Sequence, residues 1–168
     1  MLVMSERISD HLPKTQKYLP KQRLWYIRAN EVLISSGSIE RPLVFGNNDT
    51  PGVMLSSAAK EYMKVYGVLV GKKPLIFTNN DSGYETAIEF KKNGVNPIIL
   101  DTRSNPSSDI ITEAINLNIE IRFSYVVVAA KGYKKVNSAD IAKISDDKKE
   151  VFNIENIECD CICVSGFC

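Results

Sequence analysis

Apolar residues recur along the chain with two periods, which predict helices in some segments and strands in others. A helical period starts at Leu55 and stops near Gly67, and another extends over residues 108–117. Alternating or continuously apolar segments predict strands at residues 23–29, 31–35, 119–123, 125–130, 136–144, 149–154 and 158–164. Strands that alternate with helices and then continue as a meander indicate an α/β protein with a mostly parallel sheet.

Residues 74–103 have the clearest organisation. An apolar run at 74–77 is followed by a turn of small polar residues, a helical segment that Asn93 and Gly94 end, and a second apolar run that ends in Asp101. This is the order of a dinucleotide-binding βαβ unit. In such a unit, N–H groups at the helix N-terminus approach a pyrophosphate, and the acid accepts hydrogen bonds from a ribose. The sequence therefore predicts a Rossmann-like βαβ core.

The turn of this unit matches the fingerprint G-x-G-x-x-G only at its third glycine. Asp81 brings negative charge to the position of a phosphate, and its carboxylate is expected to cap the following helix. Asp101 lies at the distance that the fingerprint requires, 101 − 81 = 20 positions after Asp81. The unit is therefore either a pyrophosphate site or a Rossmann-like scaffold. Its candidate cofactor-binding residues are Thr78, Asn79, Asn80, Asp81, Gly83, Asp101 and Arg103.

Composition limits the partners of the chain. With 168 residues, 44% hydrophobic residues, 24% charged residues and a formal net charge of +1, the chain resembles a soluble globular protein. It has no long block of like charge, so we expect neither nucleic acid nor membrane as a partner. No apolar run has the ~18 residues that a membrane span needs, and no signal-peptide core is present at the N-terminus. We therefore expect a cytoplasmic protein.

The chain holds few groups that could carry out catalysis or bind a metal. Cys159, Cys161 and Cys163 alternate along a predicted strand, and we interpret them as buried residues that share one face rather than as metal ligands. The only histidine is His11, which no glycine-framed serine or cysteine cluster accompanies. We assign no catalytic residue and no metal site, so a cofactor would have to carry the chemistry.

Two segments share one form, a strand that runs into small residues and a glycine: VLISSG at 32–37 and ICVSG at 162–166. With the βαβ unit between them, they resemble flavoprotein reductases of the pyridine nucleotide–disulfide type, in which an NAD-binding domain interrupts an FAD-binding domain. Ser36 and Gly37 resemble the departure from the first domain, and Gly166 resembles the return. The segments QRLWYIRANEVLISSGSIERPLVFGNNDTPGVML, IFTNND and CDCICVSG further resemble the α subunits of heterotetrameric sarcosine oxidases.

This resemblance implies three parts: residues 1–50 as a partial first dinucleotide-binding-type domain, 51–155 as an inserted Rossmann-like NAD domain, and 156–168 as the strand that returns to the first domain. It implies NAD or FAD as cofactor and the oxidative demethylation of sarcosine to glycine as activity, shared with other subunits or with missing parts of the same subunit. We expect an internal fragment that is inactive alone, with apolar surfaces exposed at Leu33, Ile34, Ile162 and Val164. The alternative is a non-catalytic nucleotide-binding or scaffold module that acts through partner subunits.

Overall fold

A computed structural model describes residues 1–14, 17–145 and 147–166. The chain divides into two compact units, Met1–Gly37 and Ser38–Cys168. Within the described ranges, no helix is both long and apolar enough to cross a membrane.

The first unit is a two-stranded antiparallel sheet followed by an extended segment. Strand β1 (Leu2–Arg7) pairs with β2 (Gln22–Ile27), and the connection is held by Ser9, whose buried hydroxyl donates to the carbonyl of Pro20 at 3.0 Å. The prediction of β2 is confirmed, whereas β1 was not predicted. The strand predicted at 31–35 does not form in the described chain, where Leu33 and Ile34 are 93% and 81% exposed.

The second unit contains three helices and eight strands among its described residues. They are β3 (Val53–Leu55), α1 (Ser56–Tyr66), β4 (Pro74–Thr78), α2 (Ser82–Lys92), β5 (Ile98–Asp101), α3 (Asp109–Asn116), β6 (Glu120–Phe123), β7 (Tyr125–Gly132), β8 (Val136–Ile144), β9 (Val151–Glu158) and β10 (Cys161–Ser165). The predicted Rossmann-like βαβ core is thereby confirmed as β4-α2-β5. Helix α1 ends where expected, because Gly67 adopts the left-handed conformation (φ 63°) that glycine tolerates.

A five-stranded parallel sheet in the order β3-β10-β4-β5-β6 forms the centre of this unit. Strand β10 pairs with β3 on one side and β4 on the other, and Ile162 and Val164 are fully or almost fully buried. The expectation that Ile162 and Val164 are exposed is therefore wrong. An apolar strand gains more by pairing on both edges and covering both faces than by lying open to water.

The sheet has a hydrophobic core on each face. One face packs against the helices through residues such as Ala59, Met63, Tyr84 and Phe90. The other face packs against the antiparallel sheet β7-β8-β9. The mostly parallel α/β architecture and the meander are therefore confirmed.

The cysteines are divided between these two cores. Cys161 and Cys163 are buried in the core on the helix side, with their Sγ atoms 3.4 Å apart. Cys159 is buried in the core on the meander side. Burial of these three thiols is confirmed, but the prediction that they share one face is wrong. Cys159 precedes β10, so the alternation of the strand does not extend to it.

Candidate dinucleotide site at the turn between β4 and α2

Most of the predicted site residues meet at the carboxyl-terminal edge of the parallel sheet, where ligands bind in folds of this type. Thr78 ends β4, Asn79, Asn80 and Asp81 form the turn after it, and Gly83 lies in the first turn of α2. Asp101 ends β5, Arg103 follows it, and Gly166 follows β10. Ser36 and Gly37 belong to the first unit and are exposed. A Cβ atom added to Gly37 would meet no described atom within 4 Å.

Gly83 lets helix α2 pack closely on strand β4. A Cβ atom at this position would lie 2.7 Å from both Cβ and Oγ1 of Thr78, which is closer than side-chain atoms can approach. Thr78 is itself fully buried at the end of β4. The third glycine of the fingerprint therefore has the helix–strand packing role that the Rossmann pattern gives it.

Asn80 caps helix α2, although Asp81 was expected to do so. The Ser82 N–H donates to Asn80 Oδ1 at 2.9 Å, whereas Asp81 makes no side-chain capping hydrogen bond. The hydroxyls of Ser82 and Ser165 lie 2.6 and 3.2 Å from the same oxygen. The Asn80 amide NH₂ donates to the Gly166 carbonyl at 2.7 Å. One side chain thus accepts from the first N–H group of the helix and connects it to the end of β10.

Two further N–H groups of the turn, those of Asn79 and Asn80, also donate to atoms of the protein. The Asn79 N–H donates to the Ser165 carbonyl at 3.3 Å, and the Asn80 N–H donates to Thr78 Oγ1 at 3.1 Å. The Thr78 hydroxyl in turn donates to the Asn80 carbonyl at 2.8 Å. These donors are directed at protein atoms, whereas a pyrophosphate would need them directed outward.

Asp101 is completely buried and its acceptor capacity is filled by two residues. Its Oδ1 accepts from the Arg103 N–H at 2.9 Å and from Arg103 Nε at 3.0 Å. Its Oδ2 accepts from Arg103 Nη2 at 2.8 Å and from the Tyr84 hydroxyl at 2.7 Å. A carboxylate offers about four lone-pair positions, so no acceptor remains for the hydroxyls of a ribose.

The charged side chains at this edge of the sheet carry a net negative charge. Arg103 Nη1 forms an ion pair with Asp81 Oδ1 at 2.8 Å while the same guanidinium holds Asp101. Two carboxylates around one guanidinium leave a net charge of −1. Hydrogen bonding to Asp101 raises the pKa of Arg103, so the cation persists throughout the physiological range. Burial, and then the bond to Asp101, raises the pKa of Tyr84, which stays a neutral donor.

Gly166 follows β10 and contacts Arg41, which lies near the start of the second unit. Its N–H donates to the carbonyl of Arg41 at 2.9 Å, and a Cβ atom there would lie 2.2 Å from that oxygen. The glycine is therefore required by a backbone contact inside the protein.

A dinucleotide does not fit the residues present at this turn. Asn80, which caps the helix, and Asp101, which would bind a ribose, both form hydrogen bonds with other groups of the protein. Asp81 would bring a negative charge to the pyrophosphate. The polar cavity next to this edge, lined by Thr102, Ser104, Ser124 and Lys148 among others, has a volume of about 180 Å³. Ligand pockets commonly start at about 300 Å³.

No pattern in the sequence marked three further residues that contribute contacts to the site. Tyr84 falls on the apolar face of α2, which indicates only that its ring is buried. Ser82 belongs to the turn of small polar residues, and Ser165 belongs only to a strand–glycine segment. Their contacts with Asp101 and Asn80 join residues that are distant in sequence, such as Ser165 and Asn80.

The buried thiols have environments that hold them protonated. Burial raises the pKa of Cys159 to about 12. The contact with Cys161, and then burial, raises the pKa of Cys163. The described residues contain no cluster of three or more His, Cys, Asp or Glu side chains that could hold a metal ion.

Three relatives with similar sequences carry the name sarcosine oxidase subunit alpha. The relative from Rhizobium meliloti (strain 1021) is 39% identical over 137 residues, which are 81% of this chain and 13% of the relative. Those from Corynebacterium sp. strains P-1 and U-96 are 32% and 31% identical, over 87% and 98% of this chain and 15% and 17% of the relatives. The chain thus spans less than a fifth of these proteins. No family model matches it.

Solved structures with the same fold include the thioredoxin reductases of T. acidophilum and Lactococcus lactis. Their TM-scores are 0.60 and 0.61, at 16% identity, with 78% of this chain and 42% of each reductase covered. At this level of identity the likeness concerns the fold alone. By its sequence the chain belongs to the family of sarcosine oxidase α subunits, and it corresponds to a part of their length.

Proposed function

We propose that the chain is one part of a sarcosine oxidase-like flavin oxidoreductase, an assembly that oxidatively demethylates sarcosine to glycine. The observation that carries this proposal is the 31–39% identity to proteins named sarcosine oxidase subunit alpha over 81–98% of the chain. A flavin in such an assembly would accept the electrons of the amine. This chain would contribute a Rossmann-like domain and no catalytic side chain.

Exposed apolar surfaces support a role within a larger assembly. In the first unit, the extended segment exposes Leu33 and Ile34, and a lone two-stranded sheet of this kind is only marginally stable in water. In the second unit, the end of α1 exposes Val65 and Tyr66 by 66% and 65%. Contiguous exposed apolar residues are typical of surfaces that contact other protein.

The proposal is tested by capture from the source cells. The chain, with an affinity tag at its N-terminus, is expressed there, and the captured material is assayed for bound flavin and for peroxide and formaldehyde formed from sarcosine. We expect co-purifying polypeptides with flavin and sarcosine-dependent activity. Captured material without either would contradict the proposal.

The isolated chain should not oxidise sarcosine. Purified from a heterologous host and supplied with free FAD, FMN and NAD⁺, it should form neither peroxide nor formaldehyde above a no-enzyme control. Turnover by the chain alone would overturn the proposed division of labour.

A second candidate function is a non-catalytic scaffold that acts through partner subunits. The internally satisfied turn at Asn80 and the filled Asp101 carboxylate favour a structural role for this unit. The capture experiment separates the two functions, because a scaffold would bring down partner chains without sarcosine oxidation.

A further inference from the structure

We propose that the nucleotide site of this Rossmann-like unit is closed by its own side chains, with the amide of Asn80 in the place of a pyrophosphate. The proposal rests on residues 78–103 and 165–166, together with the contact between Gly166 and Arg41. It is independent of the enzyme proposed above, because a closed site here is compatible with any larger assembly.

The first step concerns the helix N-terminus. The first N–H groups of a helix lack partners within the helix, and in dinucleotide-binding folds a phosphate accepts from them. Here the Ser82 N–H donates to Asn80 Oδ1 at 2.9 Å. The amide oxygen satisfies the donor that a phosphate would take, and it brings no charge to be neutralised. A dinucleotide would therefore have to displace it.

The second step concerns what holds Asn80 in place. Its NH₂ group donates to the Gly166 carbonyl at 2.7 Å, and the Ser165 hydroxyl lies 3.2 Å from its Oδ1. Moving Asn80 away from α2 would break both contacts with the end of β10. Gly166 is itself held, since its N–H donates to the Arg41 carbonyl. The closure is thus a tertiary feature that links two parallel strands and a helix.

The third step concerns the other end of the site. Tyr84 and Arg103 fill the acceptor positions of Asp101, which a ribose would otherwise use. Asp81 stands beside the helix N-terminus, and Arg103, which could attract a phosphate, is already shared between two carboxylates. Both the pyrophosphate and the ribose positions are therefore taken by groups of the protein.

Direct binding of NAD⁺ and NADP⁺ to the full 168-residue chain tests this proposal, by equilibrium dialysis and by shifts in amide NMR signals. The unaltered chain should show no saturable binding up to about 1 mM. A variant with Asn80→Gly and Asp81→Ala removes the amide and the adjacent charge. We expect it to bind NAD⁺ at least about tenfold more tightly than the unaltered chain does.

The matched control is Asn79→Gly with Asp81→Ala, which changes the neighbouring asparagine and leaves the cap in place. It should bind no more tightly than the unaltered chain. Saturable binding to the unaltered chain would overturn the proposal. So would an Asn80 variant that folds and stays as inert as its control, because the closure would then not depend on Asn80.

Hydrogen exchange keeps the test decisive if the Asn80 variant fails to fold. In the unaltered chain the Ser82 amide should exchange slowly, because it donates to Asn80, and about 1 mM NAD⁺ should leave its rate unchanged within twofold. A fast-exchanging Ser82 amide, or one that NAD⁺ protects further, would overturn the proposal.

Discussion

Replacing Asp101 by alanine should destabilise the second unit strongly. The carboxylate is fully buried and accepts hydrogen bonds from Tyr84 and Arg103, so the variant leaves a buried hydroxyl and a partly buried cation without this partner. Removing one partner of a buried charged pair costs about 3–5 kcal/mol. Because the Arg103 side chain is 29% exposed and keeps its ion pair with Asp81, we expect about 3 kcal/mol, the lower end of that range.

Urea unfolding followed by far-ultraviolet circular dichroism measures this loss, since all described helices lie in the second unit. The matched control is Asp81→Ala, which removes the other carboxylate of Arg103. The Asp81 side chain is 45% exposed, so this variant should lose less than about 1 kcal/mol. Equal, small losses for both variants would refute the reasoning, because the Asp101 carboxylate would then be solvated and free to accept a ribose.

Three further predictions concern packing, proton binding and thiol reactivity. Gly83→Ala should lower the free energy of unfolding by about 1–3 kcal/mol, because its Cβ would lie 2.7 Å from Thr78; unchanged or higher stability in urea would contradict the contact. Burial raises the pKa of Tyr84, so above about pH 10 the unfolded chain loses this proton while the folded chain keeps it. The free energy of unfolding should therefore fall as pH rises past about 10, by up to about 1.4 kcal/mol per pH unit from this group. In urea titrations across that range, the free energy of unfolding of the Tyr84→Phe variant should fall less steeply. Cys159, with its pKa raised to about 12, and the two cysteines of β10 should resist iodoacetamide near neutral pH until urea unfolds the chain, as peptide mapping will show; rapid labelling of the native chain would contradict their burial.

Local patterns predicted much of the second unit because they depend on neighbouring residues. The helical period from Leu55, the glycine that ends α1 and the two apolar runs around α2 all correspond to elements of the structure. Gly83 was identified by its place in the fingerprint as a candidate cofactor-binding residue, and in the structure it lies in close contact with Thr78. The same method failed at residues 31–35, because this apolar run forms no strand with any part of the chain that the structure describes.

The position of β10 could not be predicted from its own residues. Its apolar sequence indicated a strand, but Ile162 and Val164 were expected to be exposed. Which strands it joins depends on pairing across the sheet, and parallel neighbours are distant along the chain. The same holds for the cysteines. Alternation indicates a shared face within one strand, and it says nothing of Cys159 once the chain bends before β10.

The sequence by itself determined the Rossmann-like core of this protein, its kinship and the residues that would form a nucleotide site. The tertiary structure alone decided that this site is closed. Missing glycines show that the turn is unusual, but they do not show that Asn80 meets Ser165 and Gly166, or that Tyr84 and Arg103 fill Asp101. The physical reason is that hydrogen-bonding capacity is used up by partners from other strands and helices, and only the folded chain brings those partners together.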